Sequence, residues 1–151
     1  MSDKKASGKF DLSLMQEDVK KHEQGSPCYM PIEEDADPET VGYFNVRRVN
    51  TPEYQKQIEE IKLELFGFSS PEIDHALIAA HWLAEYGVTG WGNIIDEHEK
   101  DIVFSKSTAR QIFLNPSFKM SLNSILISHG ANYNNYIYDE AREDAEAVKK
   151  N

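Results

Sequence analysis

The chain has 151 residues, of which 40% are hydrophobic and 11% aromatic, enough for one domain with a real core and too apolar for a disordered chain. Its net charge is −10 and its sequence pI near 4.9, which opposes contact with a phosphate backbone and argues against nucleic-acid binding. Cys28 is the single cysteine, so an intrachain disulfide and a cysteine-based metal site are excluded. The opening MSDKKASGKF lacks the apolar core of a signal peptide, and no apolar run approaches the ~20 residues of a membrane span. The expectation is a soluble, intracellular chain without membrane contact.

Residues 1–9 are small and polar and are expected to be disordered, leaving 10–151 as one domain. A helix is predicted over 10–24, with Asp11 or Ser13 as cap, Leu12, Met15 and Val19 at partial helical spacing, and Gly25 as its end. The run PCYMPI (27–32) holds two prolines and reads as an edge strand. After the acidic loop EEDADPET, GYFNVRRVN alternates, with Phe44, Val46 and Arg48 on one side. It is the best strand in the chain and is predicted to pair with the first as a hairpin.

Thr51-Pro52-Glu53 is a helix start: a cap, a proline in the first turn, then an acid near the positive end of the dipole. Tyr54, Ile58, Ile61 and Leu65 follow on one face, and Gly67 ends the helix. Ser70-Pro71-Glu72 repeats the start signal for a second helix, with Ile73, Leu77, Ala80 and Ala84 as its stripe and Gly87 at its end. Short connection predicts an antiparallel helical hairpin. VTGWGNII (88–95) reads as irregular, DIVF (101–104) as a short strand, and Ser105 or Ser107 as the cap of a helix bearing Ala109, Ile112 and Phe113. Asn115-Pro116 ends that helix and starts another, broken at Gly130, and 131–151 is predicted as a last helix, aromatic first and charged later. The fold class that results is mainly α with a small β hairpin or sheet, a helix-dominated α+β chain with its β element at about 27–49 and 101–104.

A search for chemistry yields little. His75 and His81 lie six residues apart, ~240° around a helix, and cannot ligate one metal as an i, i+4 pair would. Asp35, Asp37 and Glu39 alternate like the first ligands of a calcium loop. Its sixth position, however, is Thr40 where glycine is needed, and its twelfth is Val46 where glutamate is needed. Phosphate-binding glycine loops, a nucleophile elbow and HExxH are absent from the sequence, and Cys28 reads as a small hydrophobe in an edge strand. The reading is of a protein with no catalytic residue, no metal and no cofactor. Trp82 reads as core, and Trp91, flanked by glycines, as the anchor of its loop. Tyr133, Tyr136 and Tyr138 cannot share one helix face, which points some of them toward an interface.

Three blocks in order carry a family resemblance: a basic strand running into a Thr-Pro helix (FNVRRVNTPEYQKQI), then VTGWGNI, then DEHEKDIVFSKSTARQIFLNPSF, with a charged end EAVKKN. In this order, across residues 44–151, the chain resembles the tailed-phage (siphophage) tail assembly chaperones. The resemblance implies a non-catalytic protein of the host cytoplasm that binds the tape measure protein, helps recruit tail tube protein and is not retained in the mature virion. It also implies self-association and a frameshift-extended form, and Lys149-Lys150-Asn151 fits the latter, since AAA AAA AAC contains the slippery heptamer A-AAA-AAC. Helix-in-groove binding would suit such a role, with Ile112, Phe113 and Phe118 near the Asn-Pro break and Tyr133, Tyr136 and Ile137 as expected partner contacts. The alternative is a structural minor tail or head-tail joining protein of the virion.

Overall fold

The computed structural model describes residues 8–30, 39–68 and 73–138. At its centre is a three-stranded antiparallel sheet in the order β1-β2-β3: β1 (Ser26–Tyr29), β2 (Tyr43–Val46) and β3 (Val88–Gly92). β1 and β2 pair in the register Ser26↔Val46 to Tyr29↔Tyr43, which is the expected hairpin across the acidic loop. Strand β1 lies at the edge, where the missing N–H of Pro27 is tolerated. Phe44 and Val46 are buried, and Tyr43 and Asn45 between them are half-buried, so strand alternation sets the core face.

The third strand is not where the pattern put it. It is the Gly-Trp run, with Phe44 opposite Trp91 and Tyr43 opposite Gly92. One of the two glycines flanking Trp91 has a cross-strand reason: a Cβ on Gly92 would lie 2.7 Å from the Tyr43 ring, whereas one on Gly90 would meet nothing within 4 Å. Residues 101–104 form no strand and supply one bridge, Ile95↔Asp101. The Ile102 carbonyl there accepts from the indole N–H of Trp91 at 2.6 Å, and the Trp91 ring meets Phe44, Phe104 and Phe113 edge-on.

Five α-helices surround the sheet among the described residues, giving a helix-dominated α+β fold. The single helix expected over 10–24 is two pieces, a 3-10 turn (Leu12–Met15) and α1 (Val19–Gln24), each capped by an aspartate, Asp11 and Asp18. The break has a tertiary cause: Glu17 bridges Ile137, and the Asp18 N–H donates to the Tyr136 carbonyl, which holds the chain extended between them. Helix α2 (Pro52–Phe66) starts and stops as its signals dictate. Thr51 Oγ1 accepts from the Tyr54 N–H, and Gly67 leaves the helix with φ 70°.

Helix α3 (His75–Trp82) is capped by Asp74, and the Ser70-Pro71-Glu72 signal lies outside the described residues. At its far end Trp82 meets Tyr54 and Gln57 near the start of α2, so the two helices run antiparallel. α3 then widens into a π turn (Leu83–Gly87), where a Cβ on Gly87 would overlap the Trp82 ring. Ser105 caps α4 (Lys106–Phe113), and Asn115 caps a 3-10 turn (Pro116–Phe118) that leads to α5 (Leu122–Ala131).

Gly130 does not break α5. It lies buried inside the helix, where a Cβ would come within 2.7 Å of Val49 Cγ2 and 2.9 Å of the Arg47 carbonyl oxygen. Close approach to the end of β2, and not termination, explains the glycine. Over residues 132–138 the chain is not the α-helix expected. A 3-10 turn (Tyr133–Asn135) leads to the bridge at Ile137, and residues 139–151 lie outside the described residues, as do 1–7 of the expected disordered N-terminus. Trp82, Tyr136, Phe113, Leu83 and Leu126 are the largest fully buried side chains, and no described helix is long and apolar enough to cross a membrane.

Candidate functional site

The six side chains expected to meet a partner do not form one surface. Phe113 is fully buried on α4, its ring 5.9 Å from that of Phe44. Tyr136 is fully buried; its hydroxyl donates to the Val46 carbonyl at 2.6 Å, and the Arg48 guanidinium lies 5.5 Å above its ring. Burial pushes the Tyr136 phenol well up, beyond any physiological titration. Ile137 is buried beneath the N-terminal segment that it bridges. These three are committed to the interior and have no surface to offer in this fold. Ile112 and Tyr133 are half-buried in separate elements, and Phe118 keeps 36% of its surface.

Several ionisable groups are paired. Glu17 accepts from Arg48 Nε at 2.7 Å and lies 3.0 Å from His22 Nε2. Burial alone would raise the Glu17 carboxyl, but the hydrogen bonds and charges of Arg48 and His22 outweigh it and hold the group below its ordinary value. Glu85 in the π turn takes both Nε and Nη2 of Arg110, at 2.6 and 3.1 Å, and those bonds lower its carboxyl. A cleft of about 520 Å³ between α1 and the start of α2 has Tyr54 and Trp82 in its wall and Arg47 and Arg48 facing Glu23 and Glu53, so its formal charges cancel. Cys28 is buried and its thiol pushed up by that burial, which keeps it protonated. Among the described residues no group of three or more His, Cys, Asp or Glu side chains is placed to hold a metal ion, and Asp35 and Asp37 of the calcium-like loop lie outside them.

Several large apolar side chains stay exposed. Phe68 is 96% exposed just past α2, and Leu63 on α2 and Ile73 before α3 are about half exposed. With Phe66 they form the apolar part of a groove of about 640 Å³ beside the C-terminal half of α2. Its rim is charged: Lys62 pairs with Glu59 at 3.3 Å, and Glu60 accepts from the Tyr86 hydroxyl at 3.4 Å. The ion pair of Lys119 with Asp74, at 3.1 Å, ties the α3 cap to the segment where Phe118 and Met120 are also exposed. Bonds from the Leu77 N–H and from Lys119 keep the Asp74 carboxyl low.

None of the groove residues was singled out in the sequence for binding, yet a signal exists there. The core stripe of α2 is Tyr54, Ile58, Ile61 and Leu65. Leu63 lies ~200° from Ile61, on the face opposite the core, where a leucine has no packing reason to be. Comparison with protein-family models, curated proteins and solved structures found no match to this chain.

Proposed function

We propose that this chain is a non-catalytic assembly chaperone of the tailed-phage tail kind, which binds the tape measure protein and helps recruit tail tube protein in the host cytoplasm. Two things support the reading. One is the order of residue blocks from the basic strand through VTGWGNI to the Asn-Pro break. The other, which carries it, is the uncovered apolar surface around Leu63, Phe68 and Ile73 on a body of net charge −10. A protein that holds an aggregation-prone helical chain needs apolar contacts that form and release, and a charge that keeps the complex dissolved.

The test is co-expression with the putative tape measure protein, read by solubility and pull-down. A tape measure kept soluble and co-purifying supports the proposal. Precipitation of the tape measure beside a monodisperse chain refutes it. Purified virions separate this function from a minor tail or head-tail joining protein, since a chaperone is missing from them and a structural protein is present stoichiometrically. A gene that reads AAG AAG at Lys149-Lys150 would remove the basis for a frameshift-extended form.

A further inference from the structure

We propose that residues 8–23 form a strap that opens as a unit while the rest of the fold stays closed, and that Glu17 is its latch. Opening uncovers Ile137 and removes the α1 wall of the cleft that holds Tyr54. The device does not depend on the holding role.

The segment lacks the burial that would make it part of the core. From Gly8 to Gly25 no residue is buried, whereas Ser26, where β1 begins, is. Phe10, Leu12, Met15 and Val19 all stay exposed, and Leu14 is half-buried. An element that removes so little apolar surface from water gains little by closing, and such elements open well below the cost of global unfolding. Ile137 beneath it, by contrast, is 2% exposed. The segment covers the body without joining its core.

Polar ties hold the strap down. On one side the Asp18 N–H donates to the Tyr136 carbonyl at 2.6 Å and Lys21 Nζ to the Ile137 carbonyl at 2.9 Å. Past the end of β2, Arg47 Nε donates to the Glu23 carbonyl at 2.8 Å and the Arg48 N–H to the His22 carbonyl at 3.3 Å. Glu17 serves both sides: its backbone bridges Ile137, and its carboxylate takes Arg48 Nε at 2.7 Å while facing His22 at 3.0 Å. The root is fixed by Thr89 Oγ1, which donates to the Gln24 carbonyl at 2.8 Å, and by the pairing of Ser26 with Val46. When the strap lifts, its bonds are exchanged for bonds to water, so each contributes little net. The boundary between strap and body is sharp. The Arg47 N–H donates to the Gly87 carbonyl at 2.8 Å and the Val49 N–H to the Gly130 carbonyl at 2.9 Å, both within the body, and the Arg48 N–H between them reaches the strap.

The test is native-state hydrogen exchange of the full chain, resolved by residue with NMR and repeated in low urea. Corrected for intrinsic rates, the Asp18 and Arg48 amides should be protected about a hundredfold less than those of Arg47 and Val49. Their exchange should stay flat in low urea, because opening the strap exposes little surface, while that of Arg47 and Val49 climbs. Glu17→Ala should speed the Asp18 and Arg48 amides by about tenfold, the loss expected for a charged hydrogen bond. Phe113→Leu weakens the core on α4, so it should speed Arg47 and Val49 and leave Asp18 and Arg48 as they are. One common protection level and urea dependence for all four amides overturns the strap, and so does a Phe113→Leu protein in which all four speed alike. Parent-like exchange of Asp18 and Arg48 in Glu17→Ala overturns Glu17 as the latch.

Discussion

Gly130→Ala puts two physical effects in opposition and lets their magnitudes decide. In an ordinary helix interior the change is favourable by up to ~1 kcal/mol, because alanine has the better helix propensity and less backbone entropy to lose. Here Gly130 is one residue from the end of α5, so that gain is smaller. Against it stands overlap. The new methyl would meet Val49 Cγ2 at 2.7 Å and the Arg47 carbonyl oxygen at 2.9 Å, both closer than carbon atoms pack. The carbonyl belongs to the backbone and cannot swing aside, so α5 must move off the end of β2. That movement also strains the two bonds accepted by the Gly130 carbonyl, from the Val49 N–H at 2.9 Å and Arg48 Nη1 at 3.0 Å. Overpacking of this type costs about 1–3 kcal/mol. The expected net loss is about 1–2 kcal/mol, which lowers the melting temperature of a domain this size by roughly 2–8 °C. Thermal and urea denaturation followed by circular dichroism measure it. Ser124→Ala, exposed on the same helix, is the control and should gain a few tenths of a kcal/mol. A Gly130→Ala protein that melts higher than the parent would mean that α5 does not approach β2 this closely and that the glycine marks a helix end after all.

Three further outcomes follow from single contacts. Trp82→Phe removes the indole N–H that donates to Gln57 Oε1 at 2.8 Å in a buried site, so it should cost about 2–4 kcal/mol. Adding Gln57→Leu should return part of that loss in a double-mutant cycle, since no buried carbonyl is then left without a donor. Tyr136→Phe should cost about 1–2 kcal/mol in urea unfolding, because the Val46 carbonyl loses its buried hydroxyl partner. A neutral result would show that water replaces it. Glu17 carries a pH signature: its carboxyl is lowered below 4.5 in the fold, so its contribution is complete above that unfolded value and is lost as pH falls through the lower, folded one. Comparing urea midpoints at about pH 6 and pH 3, the parent should lose more stability than Glu17→Gln, and equal losses would show that the Arg48 and His22 contacts contribute nothing.

Much of the architecture was legible because it is written in local chemistry. The Thr51-Pro52-Glu53 start and Gly67 stop of α2 are used as read, and of the two serines offered as the α4 cap the structure uses Ser105; Asn115-Pro116 ends α4 as read but starts a 3-10 turn, and the next helix begins only at Leu122. The hairpin of β1 and β2 was legible from alternation and from the prolines that mark an edge. The helix-dominated α+β class follows from those elements. Where glycines and aromatics were concerned, local reading failed. VTGWG looks irregular along the chain, but it is a strand because the Tyr43 ring crosses Gly92 and Trp91 faces Phe44. The 10–24 segment looks like one helix, but a bridge to Ile137, more than a hundred residues later, pulls it apart.

The same division applies to the surface. Phe113 stands beside the Asn-Pro break, and Tyr136 and Ile137 belong to a tyrosine run that cannot share one helix face, which made them look available; the fold buries all three. Leu63 and Phe68 attracted no notice, and they are among the apolar side chains that stay exposed. By itself the sequence determined where helices begin and end and which side chains are apolar, because caps, turns and periodicity act over a few residues. Which apolar side chains find a partner is set by contacts between distant segments, and only the tertiary structure decides that.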